Sequence, residues 1–95
     1  MAYNYKIFMN ILELKNVQRE EGQIFYIRKY TAIAVVELPT ETVDTPILFS
    51  IETGPFGDKK LSVKIIEAPN YPILPIITSL KPYILKNDKE GRLPT

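Results

Sequence analysis

The stretch ILFSIETGPFGDKKLSVKI, residues 47–65, carries the clearest structural signal in the chain. Apolar side chains recur at every second position over 47–53 and again over 61–65. A period of two is typical of a strand with one buried face. The segment between these runs contains two glycines, a proline and an aspartate, which are turn-forming residues. Together these features predict a β-hairpin.

Apolar pairing and charge select the register of this hairpin. Both apolar sets share one face only if paired residue numbers add up to an even value. A sum of 112 sets Phe49 opposite Val63 and places Glu52 opposite Lys60 on the solvent side. A sum of 114 loses the Glu52–Lys60 pair, which contributes about a few tenths of a kcal/mol at an exposed site. We therefore predict the sum of 112, with a five-residue connection over 54–58.

The remainder of the chain has a composition that favours strands. Ile, Val, Thr, Phe and Tyr number 35 of the 95 residues, and alanine occurs only four times. Further strands are predicted over segments 3–15, 23–29, 30–38 and 76–86, the last one broken or bent at Pro82. Turns or loops are predicted over segments 16–22, 39–46 and 68–75. A helix remains an alternative for residues 5–15, where Ile7, Ile11 and Leu14 also have helical spacing.

Six or seven short strands, with a turn signal about every ten residues, indicate an all-β fold. A β-sandwich is the first expectation and a small β-barrel is the alternative. The length favours a single domain over residues 1–95. Residues 88–95 have the composition of a flexible polar tail.

Part of the chain, residues 28–70, resembles a family of small uncharacterised prokaryotic proteins. The resemblance rests on packing and turn features, namely Thr31-Ala32-Ile33, Glu37-Leu38-Pro39, Phe49-Ser50-Ile51 with Gly57, and Leu61 to Ile66 followed by Ala68-Pro69-Asn70. It covers under half of the chain and implies an immunoglobulin-like sandwich. It implies no activity, cofactor or site.

The composition also excludes several kinds of chemistry. The chain has no Cys and no His, so the usual zinc sites, Cys or His nucleophiles and Ser-His-Asp triads cannot be built from it. We therefore expect no catalytic residues, no cofactor and no metal, and a protein that is not an enzyme. An enzyme that uses only carboxylates, Ser, Lys or Tyr is the alternative of that class.

Charge and hydropathy predict a location in the cytoplasm. The net charge is +1, so a strong attraction to DNA or to anionic lipid is not expected. No segment reaches the ~18 consecutive apolar residues of a membrane span. The first 15 residues lack the pattern of a signal peptide, because Asn and Glu interrupt the apolar run.

The surplus of apolar residues leads to the first functional hypothesis, a protein-interaction or assembly module. Leu48 and Ile66 lie on the nominally polar side of the hairpin, and residues 73–85 add more apolar surface than one sheet face can hide. An exposed strand edge can accept another chain by backbone pairing. Homodimerisation would be the simplest outcome.

Three prolines at a spacing of three add a second candidate surface for a protein partner. Pro69, Pro72 and Pro75 would line one edge of a polyproline II helix, with Tyr71 beside them. Such a ridge can dock in an aromatic groove. The alternative is an extended connector that uses proline to prevent edge pairing.

A cluster of basic and aromatic residues suggests a different class of function, the binding of single-stranded nucleic acid. Tyr26, Arg28 and Tyr30 would share one strand face, and Lys59 and Lys60 add charge nearby. Cations can follow the phosphates while the rings stack on bases. The alternative is an ordinary strand with solvated cations.

Overall fold

Four antiparallel strands and one helix make up the part of the chain that the computed structural model describes, residues 9–22, 24 and 26–94. The elements are β1 (Asn10–Glu20), β2 (Ile27–Glu37), β3 (Thr42–Thr53), β4 (Lys59–Ile65) and α1 (Ile73–Lys89). The strands form one sheet in the order β1-β2-β3-β4, with each strand antiparallel to its neighbour. The described fold is therefore mostly β.

The hairpin formed by β3 and β4 has the predicted register. Phe49 pairs with Val63 and Glu52 pairs with Lys60, so the paired numbers add up to 112. The connection between the strands consists of the predicted five residues, 54–58. The local alternation and the cross-strand charge pair were sufficient to fix this unit.

The predicted loop over 39–46 is wrong, because β3 already begins at Thr42. The Leu38 N–H donates to the Glu41 carbonyl oxygen at 2.7 Å, which closes a tight turn between β2 and β3. Pro46 lies inside β3, where its carbonyl oxygen accepts from the Ile66 N–H at 2.9 Å. The N–H that proline lacks would face β4 at the end of the ladder, where its loss costs little.

The first strand is longer and less regular than predicted. The strand interpretation of residues 5–15 is confirmed from Asn10 onward, and residues 1–8 lie outside the described part of the chain. The turn predicted over 16–22 is wrong, because β1 continues to Glu20. Two bulges interrupt its pairing with β2, and Asn16 in the second has a φ of 53°, a left-handed value that asparagine tolerates.

The two strands predicted over 76–86 are wrong, because these residues lie in α1. Ile76, Leu80 and Ile84 are spaced by four, lie on one side of the helix and are fully buried. Packing of this apolar side on the sheet outweighs the weak helix propensity of isoleucine. The described residues therefore form one open four-stranded sheet covered by a helix, and not the six or seven strands of an immunoglobulin-like sandwich or a small barrel.

Two of the three evenly spaced prolines belong to the start of α1. Pro72 is the N-cap residue and Pro75 lies in the first helical turn. The first four N–H groups of a helix have no intrahelical acceptor, so proline costs little there. The predicted polyproline II ridge through Pro69, Pro72 and Pro75 does not form, because Pro75 is helical.

The C-terminal end of α1 is closed by a Schellman motif. Gly91, with a φ of 73°, donates its N–H to the Asp88 carbonyl oxygen at 3.1 Å. The Arg92 N–H donates to the Asn87 carbonyl oxygen at 2.8 Å. Leu93 then returns to the core and is buried. The segment predicted as a tail over 88–95 thus contains the helix end and, up to Pro94, residues packed on the sheet.

The core lies between α1 and one face of the sheet. The sheet residues buried on this face are Tyr30, Ala32, Ala34, Val36, Thr45, Ile47, Phe49 and Ile51. Tyr30 and Phe49 are cross-strand partners whose rings stack with centroids 4.9 Å apart. The Thr45 hydroxyl is buried and has no hydrogen-bond partner among the described residues.

An ion-pair network fixes the end of α1 to the sheet. Arg28 donates to both carboxylate oxygens of Asp88, at 2.9 and 3.2 Å, and the Lys59 ammonium donates to the same carboxylate at 2.9 Å. Arg28 also donates to the Tyr30 hydroxyl, which in turn donates to the Pro94 carbonyl oxygen. The hydrogen bonds from Arg28 lower the pKa of Asp88 below its ordinary value of 3.8, and those from Lys59 add to this effect.

Replacement of Asp88 by asparagine should destabilise the protein at neutral pH. The amide cannot balance the charges of Arg28 and Lys59, and the Asp88 side chain is only 11% exposed. We expect Asp88→Asn to lower the free energy of unfolding by about 2 kcal/mol, measured by urea denaturation at pH 7. Asp44→Asn is the matched control, because the Asp44–Lys15 pair is exposed, and it should cost less than about 0.5 kcal/mol.

The same carboxylate should make stability depend on pH. A native pKa below the unfolded-state value means that the contribution of Asp88 is complete above that unfolded value and is lost as pH falls through the native pKa. The wild-type protein and Asp88→Asn should therefore converge in stability below about pH 4. An equal difference between them at pH 7 and pH 3 would contradict this assignment.

Replacement of Thr45 by valine should stabilise the protein. Valine keeps the branched shape and removes a buried hydroxyl whose desolvation is not compensated. We expect Thr45→Val to raise the free energy of unfolding by about 1 kcal/mol, measured by urea denaturation. Thr31→Val on the exposed face of β2 is the control and should change it by less than about 0.5 kcal/mol. Destabilisation by Thr45→Val would show that the hydroxyl is satisfied in solution.

Candidate functional site

The sheet face opposite α1, here the open face, carries a patch of exposed apolar side chains. Alternation along β2 and β3 places Ile33, Pro46 and Leu48 on this face, and Ile66 follows directly after β4. Ile33 pairs with Pro46, and Pro46 bonds to Ile66 through the backbone, so the side chains are neighbours. Leu48 is 36% exposed and Ile66 is 56% exposed. These four residues are called the apolar stripe below.

Charged and polar side chains surround the apolar stripe. On one side, the Lys15 ammonium lies 2.8 Å from the Asp44 carboxylate, and this hydrogen bond raises the pKa of Lys15. On the other side, a shallow groove beside Leu48 is lined by Lys29 and Lys64, among other residues. An apolar centre with a polar rim is the arrangement found in protein–protein interfaces.

The edge of the sheet at β4 offers unpaired backbone groups. The Ile66 N–H bonds to Pro46, so the even-numbered residues of β4 exchange hydrogen bonds with β3. The odd-numbered residues Leu61, Val63 and Ile65 therefore direct their N–H and C=O groups away from the sheet. Within the described part of the chain no strand lies beyond β4. This row of groups is called the β4 edge.

The opposite edge, at β1, is a poor template for pairing. Register shifts between Ile11 and Glu13 and between Lys15 and Gln18 break the regular spacing of its outward backbone groups. Bulges of this kind protect natural sheet edges against the addition of further strands. Of the two edges in the described sheet, β4 is the one without a bulge.

The structure separates the sequence-predicted partner-binding residues into two groups. Leu48 and Ile66 lie close together on the open face. Tyr71 instead packs against the core, and its N–H donates to the Pro69 carbonyl oxygen at 2.8 Å. Pro72 and Pro75 begin α1, as described above. Only Leu48 and Ile66 therefore form a joint surface.

The residues proposed to bind nucleic acid are largely engaged within the fold. Arg28 and Tyr30 share one face, as predicted, but it is the face beneath α1. Tyr30 is buried and therefore presents no free ring to a base. Arg28 and Lys59 both contact Asp88, which balances much of their charge. Tyr26 and Lys60 are exposed, and the nucleic-acid hypothesis stays a prediction.

Sequence reasoning missed two members of the apolar stripe and the helix anchor. Pro46 was assigned to a loop and Ile33 to the interior of a sandwich, so their contact was not visible. Asp88 lies in a segment that was assigned to a tail. The signal for the helix end was present, because Gly91 follows two lysines of a last helical turn and precedes Pro94.

Two further surveys concern the described residues only. Residues 9–22, 24 and 26–94 contain no group of three or more acidic side chains placed to hold a metal ion. The helix α1 lacks the length and apolar character needed to cross a membrane.

Comparison with known proteins gives a family and no closer relative. No curated protein and no solved structure matches the chain significantly. One family model matches residues 6–89, which is most of the chain. The chain therefore belongs to the family that this model defines, the BB_0187 family.

Proposed function

We propose that this protein is a non-enzymatic interaction module that binds a protein chain through the apolar stripe and the adjacent β4 edge. The observation that carries the proposal is the clustering of Leu48 and Ile66 with their apolar neighbours on a sheet face that α1 does not cover. Side chains of this size rarely form exposed patches without a binding role, especially where polar residues surround them.

The two parts of this surface would contribute differently. Burial of the exposed parts of Leu48 and Ile66 would supply affinity, on the order of 1 kcal/mol for each side chain. The β4 edge would supply directional hydrogen bonds that align an added strand. The charges of Lys64 and Asp44 at the rim would restrict the orientation of the partner.

Removal of the stripe should abolish binding while the fold remains intact. The variant Leu48→Ser/Ile66→Ser removes apolar area without adding charge. The test immobilises the wild-type protein, captures proteins from an extract of the source cells, and titrates a captured protein in purified form. We expect the double variant to weaken that binding at least about tenfold, because it removes most of the exposed apolar area of the stripe.

Phe56→Ser is the matched control. Phe56 is 95% exposed at the tip of the hairpin, so its replacement also removes a large exposed apolar side chain, but away from the stripe. Circular dichroism of all three proteins establishes that they are folded. Equal binding by the wild-type protein and both variants would overturn the proposal.

A further inference from the structure

We propose that the partner at the β4 edge is a second copy of this chain, paired antiparallel through β4 so that Val63 lies opposite the partner's Val63. The inference rests on the proposed function and names its partner. The result would be a continuous eight-stranded sheet with a two-fold axis at Val63, and with both copies of α1 on the same side.

The first argument is the hydrogen-bonding pattern of β4. The free backbone groups belong to Leu61, Val63 and Ile65, and two antiparallel strands must match free groups with free groups. The register through Val63 does so, because it also sets Leu61 opposite the partner's Ile65. A slip by one residue would pair free groups with groups already bonded to β3, and would reverse the faces.

The second argument is the distribution of lysines. In the proposed register, Lys64 faces the partner's Ser62 and Lys60 faces the partner's Ile66. A slip by two residues in one direction would set Lys60 opposite the partner's Lys64. A slip by two in the other direction would set Lys64 opposite the partner's Lys64. Like charges directly opposite each other are destabilising, so the lysines of β4 disfavour both neighbouring registers.

The third argument is the unfinished core at this edge. On the side facing α1, Ile47, Phe49 and Ile51 of β3 are buried. Their partners across the ladder, Leu61, Val63 and Ile65, are only half-buried although they are apolar. In the proposed register these side chains meet the equivalent ones of the second copy, so the apolar layer continues across the two-fold axis.

Cysteine cross-linking tests the register directly, because the natural chain has no cysteine. In the double variant Ser62→Cys/Lys64→Cys, each thiol lies opposite one of the second copy, at a Cα–Cα distance of about 4.5 Å that permits a disulfide. In each single variant the two equivalent thiols are diagonal, about 7–8 Å apart, which is beyond disulfide reach. Mild oxidation and non-reducing electrophoresis should therefore give a covalent dimer for the double variant and little for either single variant.

Sedimentation equilibrium supplies a second measurement on variants of opposite charge. Ser62→Lys faces the partner's Lys64 at two symmetric places and should raise the dimer dissociation constant on the order of three- to tenfold. Ser62→Glu should lower it by a similar factor. Thr31→Lys adds the same charge to the open face of β2, away from the seam, and should have little effect.

The outcomes separate this inference from the proposed function. Efficient cross-linking of either single variant would indicate another register and overturn the inference. A monomer at concentrations up to about 500 µM without cross-linking would overturn it as well. In both cases, binding of a different protein that depends on Leu48 and Ile66 would leave the proposed function standing. Dimers that form in the proposed register support the inference whatever the extract yields.

Discussion

The burial of one side of α1 against the sheet is the contact on which this structure depends. A single sheet cannot hide its apolar face from water, and here Ile76, Leu80 and Ile84 are the side chains that cover it. Ala32 and Ala34 on β2 occupy little volume, so the helix can approach the sheet closely there. The Asp88 network then holds the end of the helix over the core. With one face covered in this way, the other face remains open to solvent.

The sequence predicted the parts of the fold that depend on neighbouring residues. The β3–β4 hairpin joins strands separated by five residues, so its alternation, turn residues and charge pair all act locally and define one register. The β2–β3 turn was missed because Pro39 and Pro46 suggested a loop. Proline is compatible with a strand where its missing N–H falls at the end of a ladder, and that position could not be known before the pairing of β4.

The helix was missed for a different reason. Its isoleucines favour strands and its prolines argue against a helix, yet Pro72 and Pro75 lie where N–H groups have no partner. The four-residue spacing of Ile76, Leu80 and Ile84 was the competing signal, and it becomes decisive only when a sheet face is available to bury it. The apolar stripe was half predicted for the same reason. Leu48 and Ile66 belong to the hairpin, whereas their neighbours come from pairings that the sequence does not reveal.

The two sheet edges are protected by different means, and the difference has a consequence for specificity. The bulges of β1 distort the backbone and so act against any added strand. The lysines of β4 act only where another positive charge lies opposite, since a charge opposite serine or an apolar residue brings no repulsion. Protection by charge therefore excludes registers and not pairing itself. An edge guarded in this way discriminates among partners by penalising the wrong ones, which is how a short strand with generic backbone groups can still select one register.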